Sequence, residues 1–301
     1  MNRYWPLLLV LAAAWGASYL FIKLAVEDIE PAPAMAARTL IAGGVLLGYL
    51  VAVSGARQAA ADLRDAWRSA VVLGAINAAI PFWLIGWGEK HIDSSVAGIA
   101  QATVPLFSFL LGLRFLPHER ISAARWAGVA LGIAGVAVLA GFNPSDGWWA
   151  VAGTMAVVVS SVSYALSGIY GQLRVGTVAG PVLATGSMLV AGLMLLPFGL
   201  AQLPDEAPGW RAIAGVLALA LLGTALAQLI LYRMLRLFGA RRVSLVAYLM
   251  PCFAVVYGAL LLDEPVSVSA LLGLALILGG VGLGSGAIRL RRRAIEAAAT
   301  R

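Results

Sequence analysis

Six stretches of this chain set polar and aromatic side chains on one helical face within otherwise apolar sequence. Trp15, Ser18 and Tyr19 stand at i, i+3 and i+4, and Asn77 precedes Pro81 by four, with Trp83 and Trp87 nearby. Gln101, Thr103 and Pro105 follow, then Ser160, Ser163, Tyr164 and Ser167. Thr224 and Gln228 come next with Tyr232 a turn later, and last Ser244, Tyr248 and Pro251. Residues three or four apart share a helix face. The chemistry of such stripes is hydrogen bonding and aromatic contact, which binds a small molecule without breaking a bond. The predicted substrate-binding set is Trp15, Ser18, Tyr19, Asn77, Trp83, Gln101, Tyr164, Ser167, Thr224, Gln228, Ser244 and Tyr248. An amide needs several partners, so Asn77, Gln101 and Gln228 are the stronger members. A serine in an apolar helix serves equally well by bonding the carbonyl one turn back, and the aromatic rings serve equally well as packing.

Catalytic and metal chemistry find little support. His91 and His118 fall at opposite ends of the apolar stretches, so they form no shared metal site, and neither a cofactor nor a metal is expected. Gly282-x-Gly284-x-x-Ala287 fits a loose dinucleotide fingerprint but follows an apolar helix, not a strand. No HExxH, P-loop or CxxC spacing occurs. No Asp or Glu is read in the middle of an apolar stretch, so the chain is expected to lack a buried carboxylate for proton coupling. Lys23 and Arg38 lie near segment ends, where they either snorkel or form a gate. Lys23 and Glu27 are spaced for an ion pair. Pro81, Pro105 and Pro251 interrupt helical stretches and are candidate hinges. Glu119 and Glu264 are expected to cap or orient loops.

The elements that position these residues follow from composition. The 301 residues are 61% hydrophobic and 12% charged, with a mean hydropathy of +0.92. A soluble domain carries roughly 25% charged residues. A helix needs roughly 20 apolar residues to cross the bilayer core. Ten such stretches are legible, near 5–25, 34–53, 70–88, 95–115, 124–141, 149–170, 178–200, 211–232, 243–262 and 268–288. The expected fold is an all-α integral membrane protein of ten transmembrane helices joined by short connections. Charges after the first stretch, in place of a small-residue cleavage site, favour a retained span over a signal peptide. The one cysteine, Cys252, is an apolar filler and has no intrachain disulfide partner.

The net charge of +7 is distributed by connection and not gathered on one face, so nucleic acid is not an expected partner. With the N-terminus in the cytoplasm, 17 of the 21 Lys and Arg residues fall on the cytoplasmic side. Only Lys23, Arg38, Lys90 and Arg211 fall on the other, where most acids gather. This positive-inside bias predicts that both termini are cytoplasmic. The chain also repeats itself. Ser18-Tyr19 returns as Ser163-Tyr164, Pro105 as Pro251, Glu119 as Glu264, and Gly128 with Gly135 as Gly273 with Gly280. Five spans per copy is an odd number, so the copies are expected to be inverted, as 1–142 and 143–290 with a basic tail at 291–301. Gly128-xxx-Gly132 and Gly280-xxx-Gly284 are helix-packing pairs. They either brace the bundle or make a homodimer surface through spans five and ten, leaving monomer and homodimer both open.

Trp15-Gly16-Ala17-Ser18 with Lys23, the prolines Pro31 and Pro33 before Ala37-Arg38, and Pro105, Glu119 and Gly128 through Gly135 resemble the EamA-type transporters of the drug/metabolite superfamily. Their second-half counterparts extend the resemblance over the whole chain, with the second copy one residue shorter between proline and glutamate. Within the family the chain looks most like amino-acid and metabolite exporters of the YddG type. The resemblance implies ten helices, a central cavity lined by spans one, three, four, six, eight and nine, and a cell inner (plasma) membrane location. The expected function is alternating-access export of small zwitterionic metabolites, amino acids with aromatic or apolar side chains among them. A lipophilic-cation drug or a nucleotide sugar is the alternative substrate, although a sugar nucleotide wants a positive cavity. A non-transporting structural or lipid-modifying membrane protein is the alternative of another class.

Overall fold

The computed structural model describes residues 3–115, 123–141, 147–176 and 178–284. Glu119, His118 and the basic tail 291–301 lie outside the described residues. The described chain is helical throughout its ordered elements: α1 (Tyr4–Val26), α2 (Pro31–Ser54), α3 (Trp67–Glu89), α4 (Ser94–Phe115), α5 (Ala123–Ala140), α6 (Trp148–Val175), α7 (Gly180–Ala201), α8 (Trp210–Phe238), α9 (Val246–Leu261) and α10 (Val268–Gly284). The first eight are long and apolar enough to cross a membrane, and α9 and α10 are shorter apolar helices of 16 and 17 residues. The protein is an all-helical integral membrane protein.

Two glycines redirect the chain where helices end. Gly55 (φ +80°) follows α2 and donates to the Val51 carbonyl at 2.8 Å. It turns the chain into a short amphipathic helix, Ala56–Asp65, that carries Arg57 and Arg64. Gly239 (φ +76°) ends α8 in the same way, leading through Ala240–Val243 to α9. Both conformations put a Cβ in conflict with the backbone, which glycine avoids.

Helix pairing follows a twofold pattern. α2 packs along α7, and α5 along α10. α1 contacts α8 and α9, just as α6 contacts α3 and α4. The direction of each central pair is fixed by which residues meet. A Cβ on Gly128 would lie 2.5 Å from the Gly280 carbonyl, and one on Gly135 would lie 3.0 Å from that of Gly273. A Cβ on Gly43 would press on Leu189, and one on Gly199 on Pro33. Equivalent helices therefore run antiparallel, as inverted copies require. The α5 and α10 glycines meet each other, so this close-packing face is used within the chain.

Backbone irregularities sit deep in the bundle. α3 widens to π-helical spacing over Gly74–Ala79, and α8 does so over Leu221–Leu226, at equivalent places in the two copies. Pro81 follows the first within a turn and lacks the N–H that regular α spacing needs there. α4 breaks at Ala102–Thr103, immediately before Pro105, where a missing N–H is tolerated at the start of a new helix. α9 begins with two tight i to i+3 turns, Ala247 to Ser244 and Tyr248 to Leu245, ahead of Pro251.

Candidate functional site

Arg38 is a buried cation within the bundle. Seven residues into α2, it is only 5% exposed and stands within the main core, not at a segment end. Its guanidinium carbon lies 3.5 Å from the centre of the Phe82 ring, and its Nε donates to Thr224 Oγ1 at 2.9 Å. A desolvated cation over an aromatic face gains on the order of 2 kcal/mol. Tyr19, Tyr164 and Glu89 lie within electrostatic reach of it. Among the described residues no carboxylate forms an ion pair with Arg38. Nη1 donates to Met35 Sδ at 3.8 Å, a weak acceptor that a carboxylate would outcompete for the planar donor fork.

The π segments place this site. Thr224 donates to the Leu219 carbonyl, five residues back, at 2.8 Å, and so presents its oxygen to Arg38. In α3 the widened turn frees the Ile76 carbonyl to accept from Ser163 at 2.7 Å, while Asn77 accepts from Ser167 at 2.8 Å. The polar side chains of α3 and α6 are thereby joined, as Arg38 joins α2 to α8. π segments of this kind are frequent at functional sites. The 3.6-residue periodicity of the sequence carries no sign of them.

The candidate binding residues divide by place. Tyr19 is buried with its hydroxyl toward Met250 Sδ at 3.9 Å, and Tyr164 packs on the same core. Thr224, Asn77 and Ser167 lie in the polar joints just described. Gln228 keeps its Oε1 buried with no hydrogen-bond partner. Tyr248 is half-buried against this core. Ser18 donates to the Ala14 carbonyl within its own helix. Trp15 packs on a second cluster with Tyr4, Leu8 and Met234. Gln101 is enclosed between α4 and α6, accepting from Ser160 at 3.0 Å and donating to Ser161 at 3.2 Å. Ser244 is exposed in the turn before α9. Trp83, one residue past Phe82, is 37% exposed.

Two expectations about charge are overturned. Arg38 is no outer snorkelling residue. Glu89, at the end of an apolar stretch and not in its middle, is fully buried at the end of α3, so the chain does possess a buried carboxylate where none was expected. Neither carboxylate oxygen of Glu89 has a hydrogen-bond partner. Lys23 turns inward to donate to the Glu89 and Ile92 carbonyls, each at 2.8 Å, in place of the i, i+4 contact with Glu27. Glu264 accepts from the Ser94 and Ser95 amides at 2.7 and 3.0 Å and so caps α4, in keeping with the capping role expected of it. Lys90 pairs with Glu30, and Asp28 accepts from Gly209 at the start of α8.

The acidic end of the bundle is thus cross-linked shut. At the arginine-bearing end a cavity of about 1000 Å³ opens among α1, α2, α7 and α8. Arg3, Arg233 and Arg236 stand at it with Leu226, Leu229 and Tyr232; Arg38, Thr224 and Gln228 do not line it, and α3, α4, α6 and α9, expected around a central cavity, contribute nothing to its wall.

Comparison with known proteins agrees with this architecture. The chain is 30% identical over 286 residues to the uncharacterized inner membrane transporter YedA of Escherichia coli K12, covering 92% of this chain and 88% of that one. An uncharacterized transporter of Archaeoglobus fulgidus is 25% identical, covering 93% and 97%. A crystal structure at 21% identity superposes with a TM-score of 0.65 over 96% of this chain and 97% of that one, which shows a shared fold. The model of the EamA-like transporter family matches twice, at residues 3–141 and 151–285, once per copy of the five-helix unit. This chain belongs to the EamA-like transporter family.

Proposed function

We propose that the protein exports small zwitterionic metabolites across the inner membrane by alternating access, amino acids with aromatic or apolar side chains foremost. The observation that carries this reading is the buried Arg38, without an acidic partner among the described residues and flanked by Phe82, Tyr19 and Tyr164. A carboxylate held there accepts charge-assisted hydrogen bonds, and the rings favour an apolar or aromatic side chain. Thr224 and Gln228 complete the polar lining from α8, and Asn77 with Ser167 from α3 and α6. Arg38 is here a binding residue, and Lys23 keeps the gating role.

The two units, 1–142 and 143–290, exchange conformations between the two access states, with the α4 break before Pro105 and the tight turns before Pro251 as hinges. The arginine-bearing end is cytoplasmic, consistent with the bias of Lys and Arg, so the open cavity faces the cytoplasm and the closed end faces outward. A lipophilic cation is disfavoured beside an unpaired guanidinium. A single buried cation is also a sparse site for the two phosphates of a sugar nucleotide.

The test is exchange of a labelled panel across liposomes carrying the purified protein. Saturable exchange of an aromatic or apolar amino acid, with the matching decarboxylated amine at least tenfold slower, is expected. Equal exchange of acid and amine, or flux of cations alone, would overturn the reading.

A further inference from the structure

Among the described residues, Glu89 is a buried charged group that the binding reading leaves without a task. It ends α3 at 0% exposure, with both carboxylate oxygens buried and unbonded. The titratable and charged groups facing it are Lys23 and Tyr19 from α1, Arg38 from α2, and Glu264 from the connection between α9 and α10. None of the cations closes an ion pair with it: Lys23 is held by main-chain carbonyls, and Arg38 by Phe82 and Thr224. Glu264 is engaged at the α4 N-terminus. Beside it α3 packs tightly on α6: a Cβ on Gly88 would lie 2.8 Å from the Gly153 carbonyl and from Val157. Burial without a formed hydrogen bond opposes the ionised form of Glu89, and Lys23, through its charge and its main chain, favours it.

We propose that Glu89 is the proton-binding residue of the transport cycle, carrying a proton while the outer end is closed and releasing it when that end opens. The proposal rests on the alternating-access reading above. Opening the outer end must part Lys23 from the Glu89 and Ile92 carbonyls, and Glu264 from Ser94 and Ser95, because these contacts bind α1 to the end of α3 and its following connection, and the α9–α10 connection to the start of α4. Water then reaches Glu89, the carboxyl O–H bond breaks, and the proton leaves to the external solution. The freed Lys23 ammonium is the nearest counter-charge for the carboxylate left behind. Closure reverses the step, with one proton taken up from outside at Glu89. By linkage, external acid stabilises the closed form and higher pH favours the open one. A membrane residue of this kind is expected to be expensive and functional, not incidental.

The test needs no knowledge of the substrate. Ser94→Cys is placed in a Cys252→Ser background, since Cys252 is the only native cysteine. Ser94 is fully buried at the closed end, and its hydroxyl makes no hydrogen bond, so the replacement removes none. A membrane-impermeant maleimide is added to the outer side of sealed, right-side-out vesicles between pH 5 and 8. Labelling, after correction for thiolate content with an unfolded control, should rise with pH in the parent. Glu89→Gln, which mimics the neutral acid, should stay at the low acid value throughout. His91 and Lys23 remain in both proteins and cancel from the comparison. The same pH dependence with and without Glu89→Gln would overturn the proposal, as would a parent whose corrected labelling is flat. Infrared difference spectra supply an independent readout: a titrating protonated-carboxyl band present in the parent and absent in Glu89→Gln supports it, and an unchanged band overturns it. A failure here with intact amino-acid exchange would remove Glu89 and leave the binding reading standing.

Discussion

At the scale of single residues, polarity in the membrane divides into groups that hold helices together and groups left open. Gln101 illustrates the first. Its amide is satisfied by Ser160 and Ser161; Ser161 also donates to the Val157 carbonyl, and the one Ser160 hydroxyl proton is shared between that carbonyl and Gln101 Oε1. Membrane hydrogen bonds of this kind average roughly 0.6 kcal/mol with a maximum near 1.7. Gln101→Leu is therefore expected to lower stability by about 1 kcal/mol, read as a fall in melting temperature, while the half-saturating substrate concentration stays unchanged. Gln228, with its Oε1 unpartnered, should behave in the opposite way, Gln228→Ala raising that concentration with little change in melting. The sequence picks out both amides yet cannot separate them, because the distinction rests on neighbours from distant helices. His91 offers a pH reading. It stacks on Trp149 with ring centroids 5.2 Å apart, and burial, then the Lys90 and Lys23 charges, hold its pKa below the usual His value. The neutral ring is favoured in the folded state, so this contribution is present above the ordinary value of about 6.5 and is lost as pH falls through the depressed one. Tryptophan emission of the native protein should shift over that acid range, and His91→Gln should abolish the shift.

Helices are the scale at which the sequence was most legible. Ten apolar stretches became ten helices, most ends falling within a few residues of expectation, because hydrophobic length and capping signals are local. The π segments of α3 and α8 and the break in α4 were not legible. They arise from tertiary partners, such as Ser163 taking the Ile76 carbonyl and Arg38 taking Thr224. Glycine positions show a similar split. The paired motifs in α5 and α10 were visible, but that they pack on each other appears only in three dimensions. Gly128→Ala would press a methyl against the Gly280 carbonyl and Gly284 backbone, whereas Gly48→Ala meets open space. Overpacking of this sort costs about 1–3 kcal/mol, so Gly128→Ala should lower the melting temperature by several degrees and Gly48→Ala should leave it unchanged. Pro105→Ala tests the α4 break: restoring a continuous helix should slow exchange severalfold while the amount of inserted protein stays the same.

For the whole molecule, the repeat and the charge bias already implied two inverted halves, and the antiparallel pairs α2–α7 and α5–α10 agree. Interior charge was where linear reading failed. Arg38 and Glu89 both lie near span ends in sequence, yet both are buried, faced by groups from elements distant in the chain. The central claim is that the buried guanidinium receives the substrate's carboxylate, and the most direct measurement is amino-acid exchange in liposomes by Arg38→Gln beside the native protein. Loss of a charge-assisted hydrogen bond costs about 1.5–3 kcal/mol, or roughly 10- to 100-fold in affinity. The account predicts a half-saturating concentration raised by that factor for amino acids, with the residual flux of the decarboxylated amine unchanged or higher. Native affinity for amino acids in a correctly inserted Arg38→Gln protein would contradict it.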